Sequence, residues 1–219
     1  MSRIGGAAAG DLLGDGGAGA LGPCAAVLRG FAADEAPALV AEIARIAALA
    51  PFRRMTTPRG HVMSVAMTNC GRAGWITDRR GYRYAGTDPM SGAPWPEMPA
   101  PFRTLAEAAA TAGDFAGFAP DSCLINRYVA GTRLTLHQDR NERDFAQPIV
   151  SVSLGLQAVF LWGGLARGDR RLRLVLESGD VVVWGGPARL AFHGIDPLAA
   201  GVHPLTGNCR YNLTFRKAL

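Results

Sequence analysis

The chain has 219 residues, 48% of them hydrophobic, enough for one medium-sized domain with a sizeable buried core. Its 23 basic and 18 acidic residues leave a net charge of +5, which admits a polyanionic partner without demanding one. No apolar run approaches the ~18 residues of a membrane span, and Cys24, Cys70, Cys123 and Cys209 lie too far apart for a paired metal-ligand spacing, so a helical membrane protein and a zinc finger are excluded and a soluble, cytoplasmic, monomeric chain with reduced thiols is expected.

Residues 1–22 contain 13 Gly and Ala, too little large apolar surface to offset the entropy of ordering, and are expected to form a flexible tail, leaving residues 23–219 as one domain. A helix is predicted from Asp34, which can cap it, with Pro37 in the first turn and Leu39, Val40, Ile43 and Ile46 at helical spacing. Residues 51–101 mix hairpin signals with Gly-, Pro- and Trp-rich loops and read as a separate layer on the same domain, closed by a second helix over Pro101–Ala112.

From Ser122 the pattern becomes short β-rich runs divided by turn residues: Ser122–Val129, Arg133–His137, Ile149–Leu156, Ala158–Trp162, Leu172–Leu176, Asp180–Trp184 and Arg210–Phe215. The fold class is therefore mainly β with flanking helices, a sandwich or jelly roll occupying about residues 120–216.

Within these runs, Leu136-His137-Gln138-Asp139 ends a strand, and a period of two sends His137 and Asp139 to the same face. A third potential ligand, His193, follows the strand Asp180–Trp184 and its Gly-Gly-Pro turn. Two imidazoles and one carboxylate on one face of a metal leave positions open, the arrangement of non-haem Fe(II) oxygenases rather than of a closed structural zinc site. His61 and His203 lack such neighbours and read as structural.

The last strand alternates Arg210, Asn212, Thr214 and Arg216 on one face with Tyr211, Leu213 and Phe215 on the other. If the apolar face packs on the core, two arginines enter a cavity where an unmet charge is costly, and a dicarboxylate such as 2-oxoglutarate would satisfy them. Taken alone, the same strand also reads as an exposed edge with its charges in water. Asn126 and Tyr128 share a face of Leu124-Ile125-Asn126-Arg127-Tyr128 as further donors.

Between Phe52 and Tyr84 stand seven arginines, at 53, 54, 59, 72, 79, 80 and 83, against one acid, Asp78, with Trp75, Tyr82 and Tyr84 interleaved. Basic groups for phosphates and aromatic planes for a rotated-out base suit a nucleotide, although an ordinary basic surface gives the same composition. Twenty-two of the 23 basic residues are Arg, Lys217 being the exception; this favours phosphate recognition but also follows from codon preference.

The motifs Leu124–Tyr128, Leu134–Asp139, Pro148–Gly155, Gly179–Gly186 and Arg210–Arg216, in this order and spacing, resemble the bacterial AlkB family of Fe(II)- and 2-oxoglutarate-dependent dioxygenases over about residues 51–216. The resemblance implies a double-stranded β-helix core, with iron on His137, Asp139 and His193 and 2-oxoglutarate on Asn126, Tyr128, Leu134, Arg210, Asn212 and Arg216. It implies O2 as the second cosubstrate and oxidative dealkylation of 1-methyladenine and 3-methylcytosine types in single-stranded DNA, or RNA, with formaldehyde, succinate and CO2 released. Met67, Trp75, Tyr82 and Arg167 match its nucleotide-contacting positions, Asn141 its base-facing position, and Thr57, Arg133 and Arg140 a phosphate path. The sequence departs from the family at Asn141, where an aspartate is usual, and the loss of that charge predicts an altered preference between adenine and cytosine lesions rather than loss of activity. An RNA-directed oxygenase and a non-catalytic nucleic-acid-binding jelly roll are the alternatives.

Overall fold

The computed structural model describes residues 19–219. Two helices and thirteen strands follow in the order β1 (Gly19–Gly22), β2 (Ala25–Leu28), α1 (Ala36–Leu49), β3 (Ala66–Gly71), β4 (Gly74–Asp78), β5 (Gly81–Ala85), α2 (Ala100–Ala112), β6 (Ser122–Val129), β7 (Leu134–His137), β8 (Ile149–Gly155), β9 (Ala158–Trp162), β10 (Leu172–Leu176), β11 (Val181–Trp184), β12 (His193–Ile195) and β13 (Cys209–Arg216). Seven strands pair as β1-β2-β11-β8-β13-β6-β3, four as β10-β9-β12-β7, and β4 and β5 form a hairpin; every pairing is antiparallel.

Strand alternation separates two cores across the large sheet. Cys123 and Ile125 of β6, Val150 and Val152 of β8, Val183 of β11 and Leu213 and Phe215 of β13 face the helices, where they meet Leu39, Ile43 and Ile46 of α1 and Phe102, Leu105 and Ala109 of α2. Each of the larger side chains removed from water here contributes about 1.5–3 kcal/mol. The other face carries Leu124, Tyr128, Ile149, Val182 and Trp184 towards Phe160 and Trp162 of β9 and Ile195 of β12. The result is the double-stranded β-helix of the sequence prediction, with helices on one side only. No helix among the described residues is long and apolar enough to cross a membrane.

Several boundaries differ from expectation. The predicted tail reaches Gly22, yet Gly19–Gly22 pair with β2, whose other neighbour is β11; small residues join this edge through backbone hydrogen bonds, which composition does not reveal. Residues 1–18 lie outside the described residues. Helix α1 begins at Ala36 after Glu35, without a side-chain cap from Asp34; Pro37, with its fixed φ, sits in the first turn. The last strand is central, paired on both sides by β6 and β8, so the reading as a solvated edge is excluded. Strand β12 has only three residues and no alternation to betray it.

That short strand sets a geometric demand. A Cβ on Gly194 would come within 2.7 Å of the Leu134 carbonyl oxygen and 3.2 Å of the Leu136 nitrogen, both on β7. Gly194→Ala should therefore force β7 and β12 apart, cost about 1–3 kcal/mol of stability and weaken divalent-metal binding; thermal denaturation and metal titration of the variant check both, and wild-type values in each would contradict the close approach.

Candidate active site

The register of the small sheet brings His193 of β12 directly opposite His137 of β7, with ring centroids 4.4 Å apart. Asp139 lies just past β7. Its Oδ1 is 3.6 Å from His137 Nε2 and its Oδ2 3.8 Å from His193 Nε2, and among the described residues these three side chains form a group able to hold a metal ion. Each imidazole is oriented from behind: His137 Nδ1 lies 2.9 Å from the Thr135 carbonyl and His193 Nδ1 3.0 Å from that of Ala191. A proton on Nδ1 leaves the Nε2 lone pair free towards the carboxylate, as a metal ligand requires.

Asp139 is fixed from the opposite sheet. Arg216 of β13 donates from Nε to its Oδ2 at 2.9 Å and again from Nη2, while Arg189 donates to its backbone carbonyl at 2.7 Å. Burial works to raise the Asp139 pKa, but the Arg216 guanidinium and the two imidazoles hold it well below the usual carboxylate range. Burial, reinforced by His137, lowers that of His193 to about 4, so this imidazole is neutral and ready to coordinate at neutral pH.

The large sheet supplies the second part. On β13, Arg210 stands opposite Tyr128 of β6 and Asn212 opposite Asn126. The Arg210 guanidinium carbon lies 5.0 Å from the centroid of the Tyr128 ring, its Nη2 donates to Ser153 Oγ at 2.9 Å, and Asn126 Nδ2 donates to Asn212 Oδ1 at 3.2 Å. Arg210 is only 1% exposed, yet its Nε and Nη1 have no partner, and Arg216 Nη1 is likewise unmet. A guanidinium buried this deeply without a carboxylate is costly, and the free side of Arg210, with the remaining Nη1 of Arg216, fits a small dicarboxylate beside the metal group. The donor set thus suits both Fe(II) and 2-oxoglutarate.

These groups open on one cavity of about 970 Å³. The residues matched to metal, 2-oxoglutarate and nucleotide positions all line it: His137, Asp139 and His193; Asn126, Tyr128, Leu134, Arg210, Asn212 and Arg216; and Thr57, Met67, Trp75, Tyr82, Arg133, Arg140, Asn141 and Arg167. His61, expected to be structural, also lines it, whereas His203 does not.

None of the seven arginines between 53 and 83 reaches that cavity. Arg53 pairs with Asp88 at 2.8 Å and Arg83 with Asp78 at 2.7 Å, so part of the basic stretch is structural, bound to acids inside its own layer. Tyr84, taken with Trp75 and Tyr82 as a stacking residue, instead donates its hydroxyl to Glu142, which also receives Arg189 at 2.9 Å. Glu142 and Arg189 escaped the sequence reading because a lone acid and a lone Arg in loops carry no periodic signal. Ser151 and Ser153 were legible: they recur every second residue in an otherwise apolar strand, facing Thr214 and Asn212.

Residues 25–216 match the 2OG-Fe(II) oxygenase superfamily. The chain is 58% identical over 194 residues to the alpha-ketoglutarate-dependent dioxygenase AlkB of Escherichia coli K12, covering 89% of this chain and 90% of that protein. It is 34% identical over 125 residues to the nucleic acid dioxygenase ALKBH1 of Mus musculus, across 57% of this chain but 32% of that one. Among solved structures it resembles OsALKBH1 with a TM-score of 0.81 and 30% identity, over 92% of this chain and 100% of that one.

Two outcomes follow from this geometry. Arg210→Ala removes the guanidinium that lacks a carboxylate while leaving the Arg216–Asp139 pair, so the 2-oxoglutarate KM should rise by roughly ten- to a hundredfold with metal affinity retained; an unchanged KM in steady-state kinetics would contradict the assignment. Because His193 is held below its ordinary 6.5, at about 4, its contribution to stability is present above pH 6.5 and is lost as the pH falls towards 4. Denaturant unfolding of metal-free protein across that window should show the loss, and His193→Gln should flatten it.

Proposed function

The chain belongs to the 2OG-Fe(II) oxygenase superfamily and, within it, to the AlkB family of alpha-ketoglutarate-dependent dioxygenases, and from that premise we propose that it oxidatively removes alkyl groups from the ring nitrogens of bases in nucleic acid. The observation that carries the reading is a buried Arg210 without a carboxylate in the same cavity as the His137–Asp139–His193 group, beneath an aromatic and basic rim. Bound Fe(II) and 2-oxoglutarate supply the oxidation, in which O2 hydroxylates the alkyl carbon, formaldehyde leaves, and 2-oxoglutarate becomes succinate and CO2.

The remaining work falls to the chain. His137, Asp139 and His193 would hold the metal, three ligands that leave room for cosubstrates. Arg210, with Tyr128 and Ser153 around it, would bind one carboxylate of 2-oxoglutarate; Arg216, bound to Asp139, would serve the other; Asn126, Leu134 and Asn212 line the same wall. Trp75 and Tyr82, stacked with centroids 5.7 Å apart, form an aromatic surface at the mouth on which a base rotated out of its strand can lie. Met67 of β3 lines the same cavity, and Thr57, Arg133, Arg140 and Arg167 provide hydrogen-bond donors and positive charge for the backbone phosphates. Single-stranded DNA is the preferred polymer on this reading, since an unpaired base costs least to withdraw from its stack.

The direct test supplies Fe(II), 2-oxoglutarate and air, with and without a methylated oligonucleotide. Succinate and formaldehyde should appear together and depend on the lesion; succinate that ignores the oligonucleotide would count against a nucleic-acid substrate, and RNA oligonucleotides run alongside decide the polymer. Trp75→Ala should weaken oligonucleotide binding by ~1–3 kcal/mol while leaving 2-oxoglutarate affinity unchanged, as measured by fluorescence anisotropy and KM.

A further inference from the structure

The cavity mouth contains a hydrogen bond whose direction chemistry fixes. The Trp75 indole nitrogen lies 3.0 Å from Asn141 Oδ1. An indole N–H only donates, so the amide oxygen, not the amide nitrogen, must face it, and the two ends of the Asn141 side chain are thereby told apart. The oxygen is spent on Trp75. The Nδ2 group has no hydrogen-bond partner among the described residues, and Asn141 lines the cavity, so what this side chain offers a ligand is an N–H donor.

The charge of the cavity points the same way. Five arginines line it, Arg133, Arg140, Arg167, Arg210 and Arg216, against the single carboxylate of Asp139, which Arg216 already engages. The nearest other acid in sequence, Glu142, is buried and bound by Arg189 and Tyr84. Among the described residues, therefore, no free carboxylate in the cavity awaits a positively charged base.

N-alkylated bases fall into two chemical classes by these criteria. In 1-methyladenine and 3-methylcytosine the alkylated nitrogen is flanked by an exocyclic amine, a donor, and the base is a cation at neutral pH. In 3-methylthymine it lies between two carbonyl oxygens, both acceptors, and the base is neutral. A donor facing an amine leaves both groups unmet, whereas a donor facing a carbonyl satisfies both. We propose that Asn141, held by Trp75, makes this site selective for neutral, carbonyl-flanked N-alkylated bases over cationic, amine-flanked ones. The inference rests on the N-dealkylase reading of the same site and departs from the 1-methyladenine and 3-methylcytosine preference that the family resemblance implies.

The experiment compares two oligonucleotides identical except for one lesion, 3-methylthymine or 3-methylcytosine, which differ at ring position 4 as carbonyl against amine. With Fe(II), 2-oxoglutarate and O2, wild type should show a kcat/KM ratio above one in favour of 3-methylthymine. Asn141→Asp retains an oxygen for Trp75 and replaces only the donor by an anion, so it should lower that ratio by about tenfold or more, a change that a merely structural role would not produce. Should that variant fold poorly, Asn141→Ala removes the donor and should depress 3-methylthymine turnover more than 3-methylcytosine turnover. A wild-type ratio below one, or a ratio unmoved by substitution, overturns the selectivity while demethylation itself leaves the dealkylase reading standing. Absence of demethylation on either oligonucleotide removes that reading and this inference with it.

Discussion

The ion pair between Arg216 and Asp139 joins the two sheets at the point where the chemistry is placed. Arg216 belongs to β13, an interior strand of the seven-stranded sheet, whereas Asp139 follows β7 at the edge of the four-stranded one. Arg216 is buried and Asp139 largely so, and a pair of this kind is costly to desolvate. Its return here is positional: it fixes one carboxylate oxygen and leaves Oδ1 without a hydrogen bond among the described residues, beside two imidazoles already oriented by backbone carbonyls.

Around that pair lies a second buried layer. Arg189 bridges the Asp139 carbonyl, the Gln147 carbonyl and the Glu142 carboxylate, and Glu142 in turn receives the Tyr84 hydroxyl from β5. The loop that carries Asp139 is thus tied to the hairpin that presents Trp75 and Tyr82. Burial pushes the Tyr84 hydroxyl well above its ordinary range, so it remains a donor to Glu142 under all ordinary conditions. Metal ligand and base-facing surface are thus joined by one hydrogen-bond network through Glu142 and Arg189.

Much of this was legible in the sequence, for reasons that differ by element. The face of β13 could be read because alternation is strict and because two arginines on the polar face of a buried strand demand partners. His137 and Asp139 could be paired because two residues of a strand end share a face. What escaped was set by tertiary context. Gly19–Gly22 and Ala25–Leu28 form strands because β11 offers them an open edge, and β12 exists because β7 and β9 flank it. The arginines of the hairpin layer looked alike in sequence, but Arg53 and Arg83 are consumed by Asp88 and Asp78, and only the fold reveals which cations are already spent. Asn141 was conspicuous as a departure from the family pattern, but the engagement of its oxygen by Trp75 depends on a contact across 66 positions of sequence.

The central claim is that one metal and one dicarboxylate meet between the two sheets. A crystal structure of the protein prepared anaerobically with Fe(II) and 2-oxoglutarate, with the metal located by its anomalous signal, tests it most directly. Iron should be bonded to His137 Nε2, His193 Nε2 and Asp139, with the distal carboxylate of 2-oxoglutarate on Arg210. Iron bound elsewhere, or Arg210 still without a carboxylate in the complex, would contradict it.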